Sequence, residues 1–129
     1  MRTPHPVLTP QELAIMKVVW RLEKATVRDV HEKLRARRDV AYTTVMTMMK
    51  ILEGKGFLKK KLHERAYVYR PAQPRQKVIG NMVSEFVNRV FNGAAQPLLL
   101  HLIEDKKLSP EDLKEVSALL ERERQERKS

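Results

Sequence analysis

Hydrophobic residues recur at helical spacing through the first half of the chain. Apolar positions three and four residues apart share one helical face, and this pattern appears in three successive segments. Such stripes predict three helices that pack on a common core, ending near Leu22, Arg37 and Gly54. The predicted core positions are Leu13, Met16, Val19, Trp20, Val27, Val30, Leu34, Val45, Met48, Met49 and Leu52.

Three helix starts are marked by one local device, a hydroxyl residue followed three positions later by an acidic residue. The segments are "TPQE" from residue 9, "TVRD" from residue 26 and "SPED" from residue 109. In such a capping box each side chain accepts a hydrogen bond from the other residue's backbone N–H. Proline after the cap also suits the first helical position. We predict that helices begin at Pro10, Val27 and Pro110.

The spacing of apolar residues changes from helical to alternating after the glycines at positions 54 and 56. In "FLKKKLHERAYVYRP", from residue 57, two alternating segments flank a polar tip at His63, Glu64 and Arg65. This pattern predicts a basic β-hairpin in which Tyr67 and Tyr69 pack. Three helices followed by a hairpin predict a mainly α protein whose residues 1–72 form a winged helix-turn-helix domain.

Residues 73–129 carry the apolar stripes of three further helices, more apolar surface than an appendage can cover. Exposing such surface to water is unfavourable by about 25 cal/mol per Å². We therefore expect a helical dimerisation domain that pairs with a second copy of the chain. The open alternative is that these helices fold back into one monomeric core. The residues expected at the dimer interface are Ile79, Met82, Val83, Phe86, Val90, Phe91, Leu98, Leu99, Leu102, Leu113, Val116 and Leu120.

The net charge of +10 is concentrated in the first half of the chain. Residues 1–72 contain 16 Lys and Arg against 7 Asp and Glu, whereas residues 73–129 contain 10 against 9. This bias favours a nucleic acid partner, although a solvated basic face is the alternative. The absence of Cys excludes disulfides and thiolate metal sites. No signal peptide or membrane span is apparent, so a cytoplasmic protein without a membrane partner is expected.

The side of the third helix opposite its core stripe carries short, neutral side chains and one lysine. At about 100° per residue, Thr43, Thr47 and Lys50 lie opposite the core stripe, with Thr44 and Met46 beside them. A recognition helix in the major groove requires side chains that do not hold it away from the base edges. Threonine meets this requirement, since its hydroxyl can bond phosphates or bases. Unremarkable exposed residues are the alternative.

The predicted hairpin adds cations beside that helix. We expect them to contact the DNA backbone or minor groove, with salt-sensitive affinity. An edge strand protected from aggregation by lysines is the alternative interpretation. Tyr42, near the start of the third helix, either reaches a phosphate or covers the core. The additional residues assigned to DNA binding are Tyr42, Lys59, Lys60, Lys61, His63 and Arg65.

The chain resembles the penicillinase and methicillin-resistance repressor family, of the BlaI/MecI/CopY type. The resemblance runs from about Val7 to Glu121 and is carried by "LTPQELAIMKVVW", "ATVRDVHEKL", "AYTTVMTMMKILEGKGFL", "RAYVYRP" and "LLLHLIEDKKLSPEDLKEV". It implies a dimeric winged-helix repressor of an inverted-repeat operator in double-stranded DNA, controlling β-lactam resistance-type or related genes. It also implies that the third helix enters the major groove and that the C-terminal helices intertwine.

The resemblance transfers only where residues match. Thr44 and Thr47 match family positions that touch DNA, whereas Thr43 and Met46 stand where the staphylococcal-type repressors have basic residues. Proteolytically induced members are cleaved at an Asn-Phe bond, and the matching position here is His101-Leu102. This departure argues against the same cleavage and leaves the inducing signal and any regulatory protease or sensor open. Copper-responsive members use a Cys-rich motif that this chain lacks.

Catalytic patterns are missing from the sequence. The four histidines are scattered, without a Ser-His-Asp arrangement or a phosphate-binding glycine loop, so we expect no enzyme and no cofactor. His101, Glu104 and Asp105 have the helical spacing of divalent-ion ligands, with a solvated cluster as the alternative. Three functions remain: a homodimeric repressor, a nonspecific DNA binder, and a winged-helix protein-interaction module.

Overall fold

The computed structural model describes residues 8–128. Within that range it confirms the predicted mainly α class with one small hairpin. No helix in the described part is long and apolar enough to cross a membrane. The elements in chain order are α1 (Pro10–Leu22), α2 (Val27–Leu34), α3 (Tyr42–Gly54), β1 (Leu58–His63), β2 (Ala66–Pro71), α4 (Arg75–Phe91), α5 (Ala95–Glu104) and α6 (Pro110–Lys128).

The three predicted helix starts are confirmed, and each has its capping box. In α1, the Glu12 backbone N–H donates to Thr9 Oγ1 at 3.1 Å, and the Thr9 backbone N–H donates to Glu12 Oε1 at 2.9 Å. Thr26 caps α2 and Ser109 caps α6 with the same reciprocal hydrogen bonds. These local sequences fix the helix starts because they satisfy amide groups that have no acceptor within the helix.

The end of α3 is set by Gly56. This residue has φ +88°, a conformation that side chains with a Cβ rarely adopt. The backbone N–H of Phe57 donates to the Leu52 carbonyl at 2.9 Å, and that of Gly56 donates to the Glu53 carbonyl at 3.0 Å. This pair of bonds is a Schellman motif, which ends the helix and turns the chain into β1.

The hairpin is antiparallel, and an isolated β-bridge that the sequence pattern did not predict joins it to the segment between α1 and α2. Lys60 lies opposite Tyr69 in the register, and His63 lies opposite Ala66 at the turn. Ala25, between α1 and α2, pairs with Tyr69 through two backbone hydrogen bonds of 2.8 and 2.9 Å. This bridge ties the hairpin to the helices, so the wing and the helix-turn-helix form one packed body.

The core of this body uses most of the predicted positions. Val45, Met49 and Leu52 of α3 are fully buried, which confirms the orientation assigned to that helix. Leu13 and Trp20 are only partly buried, and the Trp20 indole N–H donates to the Gln73 carbonyl at 3.1 Å. The full set of buried apolar residues is Leu8, Ile15, Met16, Val18, Val19, Ala25, Val30, Leu34, Val45, Met49, Leu52, Phe57, Leu58, Tyr69 and Val78.

The chain divides into two compact units, one extending to Met82 and the other beginning at Val83. The division lies within α4, later than the functional boundary after residue 72 that the sequence predicts. The reason is that Val78 is buried in the core of the first unit and Met82 packs against that core. The assignment of DNA binding and dimerisation to residues 1–72 and 73–129 stays a prediction.

The second unit contains helices with little buried surface. No residue of α5 or α6 is buried, and Leu99, Leu100 and Leu120 are 44, 60 and 63% exposed. Within the unit, the Phe91 ring lies 5.9 Å from the ring centroids of both Phe86 and His101. Apolar helices this exposed are typical of surfaces that associate with another chain.

A partly buried ion pair joins the start of α1 to the end of α3. Lys55 Nζ lies 3.0 Å from each carboxylate oxygen of Glu12, which is 3% exposed. Burial acts to raise the pKa of Glu12, but hydrogen bonds from the Thr9 backbone and Lys55 outweigh it, so this pKa lies below its ordinary value of 4.5. The capping pattern in the sequence predicts only the cap role of Glu12, because its partner Lys55 lies 43 positions away.

Replacing Glu12 with Gln is expected to lower the free energy of unfolding by about 2 kcal/mol at pH 7, because the substitution leaves the Lys55 charge partly buried without its carboxylate. A lowered folded-state pKa means that the ion pair stabilises the wild type above pH 4.5 and that this contribution is lost as the pH falls through the folded-state value. The variant should therefore lose less stability on acidification. Urea unfolding at pH 7 and at acidic pH measures both effects.

Glu32→Gln is the matched control. Glu32 forms an exposed pair with Arg35 at 3.7 Å, and its loss should change stability by less than about 0.5 kcal/mol. Equal effects of the two substitutions would contradict a structural role for the Glu12–Lys55 pair.

Candidate nucleic-acid interface

The exposed side of α3 carries three threonines and a lysine, and its large exposed apolar side chains are Tyr42 and Ile51, each 45% exposed. Thr43, Thr44, Thr47 and Lys50 are exposed, and Met46 is partly covered. The three threonines and Met48 line a shallow depression on the helix surface. The buried stripe on the opposite side holds this face outward, so its hydroxyl groups are presented together along about one turn of helix.

The turn between α2 and α3 is fixed by a histidine. His31 Nε2 lies 2.9 Å from the Val40 carbonyl oxygen, a hydrogen bond that spans the turn. The Tyr42 ring meets the His31 ring edge to face, with 5.6 Å between centroids, and remains 45% exposed. Tyr42 therefore packs on α2 through its ring while part of its surface faces solvent, and its contact with a phosphate stays a prediction.

Strand alternation separates the three consecutive lysines of β1. Side chains on successive residues point to opposite faces, so Lys59 and Lys61 lie on one face and Lys60 on the other. Cross-strand pairing places Arg70 opposite Lys59 and Val68 opposite Lys61. Within residues 8–128, Lys59, Lys61 and Arg70 form no ion pair. Their charges are therefore available to an anionic ligand.

Of these three cations, Lys61 and Arg70 line an open cleft. Arg70 and Lys24 of this region are absent from the DNA-binding residues predicted from the sequence. Arg70 follows from the alternation of β2, whereas Lys24 reaches the cleft only because Ala25 pairs with β2. The lining residues are Lys24, Ala25, Thr26, Asp29, Lys61, Leu62, His63, Val68 and Arg70.

Lys60 has internal partners. Its Nζ lies 3.2 Å from Glu53 Oε1, near the end of α3, and 4.4 Å from the centroid of the Tyr67 ring. The Glu53 carboxylate accepts a hydrogen bond from Lys60 and so raises the pKa of the ammonium group. The structure thus separates Lys60 from Lys59 and Lys61, with which the sequence analysis had grouped it. Tyr69 is buried as expected, whereas Tyr67 is 48% exposed.

The tip of the hairpin presents a basic pair around a strained residue. His63 and Arg65 are exposed, and Glu64 between them has φ +57°. This left-handed conformation turns the chain between the two strands with a two-residue loop. The side chains of His63 and Arg65 therefore lie at the outermost point of the wing.

The predicted dimer residues divide between the two units. Ile79 is partly buried and Met82 packs against the first core, whereas the remaining members lie from Val83 onward. At the position that resembles the family cleavage site, His101 is exposed and Leu102 is partly buried. Within the described residues no three His, Asp or Glu side chains come together as a metal site, so His101, Glu104 and Asp105 do not form one.

These features together define a winged helix-turn-helix protein with an outward threonine-lined third helix and a basic wing. A model of the family described as "Penicillinase repressor" matches residues 8–122. The chain belongs to the penicillinase repressor family.

Two curated relatives illustrate the similarity. The chain is 41% identical to the "Transcriptional regulator BlaI" of Mycobacterium tuberculosis (strain ATCC 25618 / H37Rv) over 95 residues, which cover 72% of this chain and 69% of that protein. It is 28% identical to the "Penicillinase repressor" of Bacillus licheniformis over 123 residues, which cover 95% of this chain and 96% of that protein.

A solved structure matches the described fold. The Bacillus licheniformis BlaI monomeric form, in complex with the blaP half-operator, aligns with a TM-score of 0.50 and 28% identity, covering 56% of this chain and 88% of that chain. The DNA-binding domain of the repressor BlaI aligns equally well, with 27% identity over 58% of this chain and 90% of that one. Both matches agree with a winged-helix first unit.

The separation of the three lysines predicts different chemical reactivity. Acetylating reagents attack the neutral amine, so Lys60, with its raised pKa and ion pair, should react at least about twofold more slowly than Lys59 and Lys61. Mass spectrometry of a brief acetylation time course measures the three rates. Glu53→Gln should bring Lys60 to the rate of its neighbours, and Glu64→Gln, as control, should not. Equal rates in the wild type would contradict the ion pair.

Proposed function

We propose that this protein is a homodimeric transcriptional repressor that binds an inverted-repeat operator in double-stranded DNA. The observation that carries the proposal is the exposed α3 face, in which Thr43, Thr44 and Thr47 stand beside Lys50 with no acidic side chain among them. Family membership supports the same function. The helix reads bases in the major groove, and the wing binds the backbone beside it.

The shape and chemistry of α3 suit the major groove. Thr47 and Lys50 lie one turn apart on the exposed side, so both reach the same groove when the helix enters it. The threonine hydroxyls donate to or accept from base edges and phosphates, and their methyl groups contact thymine methyls. Met46 and Tyr42 lie at the sides of this surface, where they contact the groove walls.

The wing supplies affinity that does not depend on sequence. Lys59, Lys61 and Arg70 carry uncompensated charge on one face, and His63 and Arg65 extend from the tip. Each phosphate that such a cation neutralises releases counterions, which makes binding weaken as salt rises, with a slope of about 0.9 per contact. The wing therefore holds the protein on DNA while α3 selects the sequence.

The exposed apolar helices of the second unit support pairing of two chains. Val83, Phe86 and Leu99 are 51, 41 and 44% exposed, and no residue of α5 or α6 is buried. A second copy that covers these side chains removes the unfavourable contact with water. The dimer contacts we propose are Ile79, Met82, Val83, Phe86, Val90, Phe91, Leu98, Leu99, Leu102, Leu113, Val116 and Leu120.

The twofold symmetry of the dimer determines the symmetry of the operator that it binds. The BlaI structure similar to this chain is that of a monomeric form on a half-operator. By analogy, each protomer of this protein reads one half-site, and the dimer reads two half-sites in inverted orientation.

The regulated genes are those for β-lactam resistance or a related response. Because His101-Leu102 replaces the family's Asn-Phe bond, release from DNA uses a different signal or cleavage position.

In vitro selection from random duplexes tests the function directly. We expect the selected duplexes to contain an inverted repeat and to bind at least about 1,000-fold more tightly than scrambled duplexes at physiological salt. Enrichment without any shared sequence, together with a steep salt dependence, would identify a nonspecific binder. No enrichment and no salt-dependent binding would instead favour a protein-interaction module.

Thr47→Glu tests the groove placement of α3. A carboxylate at this exposed position would face phosphates and base acceptors, so affinity for the selected duplex should fall at least about 100-fold with the dimer intact. Fluorescence anisotropy measures affinity, and sedimentation measures assembly. Gln11→Glu adds the same charge on α1 and should change affinity by less than about threefold. If Thr47→Glu binds like the wild type, α3 does not enter the groove.

Phe86→Asp combined with Leu99→Asp tests the dimer. Charges on the exposed apolar faces of α4 and α5 should produce monomers, seen by sedimentation, and weaken binding to the full inverted repeat far more than to a half-site. Asn88→Asp with Gln96→Asp adds equal charge to exposed polar positions of the same helices and should leave the dimer intact. A monomeric wild type that binds the full repeat tightly would overturn the proposal.

A further inference from the structure

We propose that Lys60 positions the wing against the recognition helix and does not itself bind DNA. The inference rests on the proposed function for the meaning of the wing, but its structural part concerns the free protein. The neighbouring lysines Lys59 and Lys61 remain the backbone contacts. The sequence "KKK" thus contains two ligand-binding cations and one internal brace.

The Lys60 side chain points towards the inner face of the hairpin. Alternation along β1 puts Lys60 on the same strand face as Leu58, which is 2% exposed. Its cross-strand neighbour Tyr69 is equally buried. Lys60 therefore projects on the side of the hairpin that packs against the helices, whereas Lys59 and Lys61 project on the other side.

The charge of Lys60 is neutralised within the protein by the carboxylate of Glu53. Its ammonium group lies 3.2 Å from Glu53 Oε1, and the two side chains are only 27 and 32% exposed. Releasing counterions from DNA requires a cation that neutralises a phosphate. An ammonium group paired with a carboxylate of its own chain adds almost no net charge to the wing, and so it contributes little to this effect.

The contacts of Lys60 connect three secondary-structure elements, α3, β1 and β2. Glu53 belongs to α3, Lys60 to β1 and Tyr67 to β2, and the ammonium group lies 4.4 Å from the centre of the tyrosine ring. The ion pair and the cation–π contact together fix both strands relative to the last turn of the recognition helix. The wing angle determines which phosphates Lys59 and Lys61 reach while α3 occupies the groove.

Hydrogen exchange of the free protein tests the brace without DNA. Lys60→Met and Glu53→Gln should each make the β1 and β2 amides exchange at least about threefold faster. Lys60→Arg should restore protection, because a guanidinium group both pairs with Glu53 and stacks on Tyr67. The matched controls Lys59→Met and Lys61→Met should leave exchange unchanged. If Lys60→Met exchanges like these controls, Lys60 is not a brace.

The salt dependence of binding to a random-sequence duplex of about 30 base pairs tests the second half of the inference. Glu53→Gln with Lys60→Met removes both charges and keeps the net charge. On a random-sequence duplex all phosphates are equivalent, so Lys59 and Lys61 still reach phosphates from a loosened wing, and the slope of log affinity against log salt should change by less than about 0.3. Lys59→Met and Lys61→Met should each reduce it by about 0.9. A reduction of about 0.9 in the double variant would show that Lys60 binds a phosphate and overturn the assignment.

The two measurements separate the inference from the proposed function. If neither Lys59→Met nor Lys61→Met alters the salt slope, the wing does not bind DNA, and the proposed function of the wing fails. The exchange experiment still decides whether Lys60 braces the hairpin, because it requires no ligand. Faster exchange in both Lys60→Met and Glu53→Gln supports the brace in either case.

Discussion

The orientation of α3 is the constraint on which the rest of the interface depends. Val45, Met49 and Leu52 are fully buried, and burying side chains of this size contributes about 1.5–3 kcal/mol each. Rotating the helix would expose this stripe and bury the threonines without partners, so its direction is energetically fixed. Presentation of Thr43 and Thr47 to solvent is thus a consequence of core packing.

The wing depends on the same body through different interactions. The Ala25–Tyr69 bridge joins the hairpin to the segment between α1 and α2, and the Glu53–Lys60 pair joins it to α3. A hairpin without such support is at most marginally stable in water. The cations of the wing are therefore carried on a supported scaffold, which keeps them at a defined distance from the helix that faces the groove.

Much of the fold and part of the candidate site were predictable from local pattern. The capping boxes at Thr9, Thr26 and Ser109 gave the helix starts correctly because both partners lie three residues apart. Periodicity likewise gave the buried stripe of α3 and the alternation of the hairpin. The end of α2 was placed near Arg37, whereas the helix ends at Leu34, since no glycine or proline marks that end.

The sequence alone determined the element types, the exposed threonine face and the basic bias of the first half, because these follow from spacing and composition. Only the tertiary structure decided that Glu12 pairs with Lys55, that Lys24 joins the wing cleft and that Lys60 differs from Lys59 and Lys61. Each of these facts requires knowing which distant segments meet in space. Local periodicity records which face a side chain occupies, but the partner across that face is set by the packing of the whole unit.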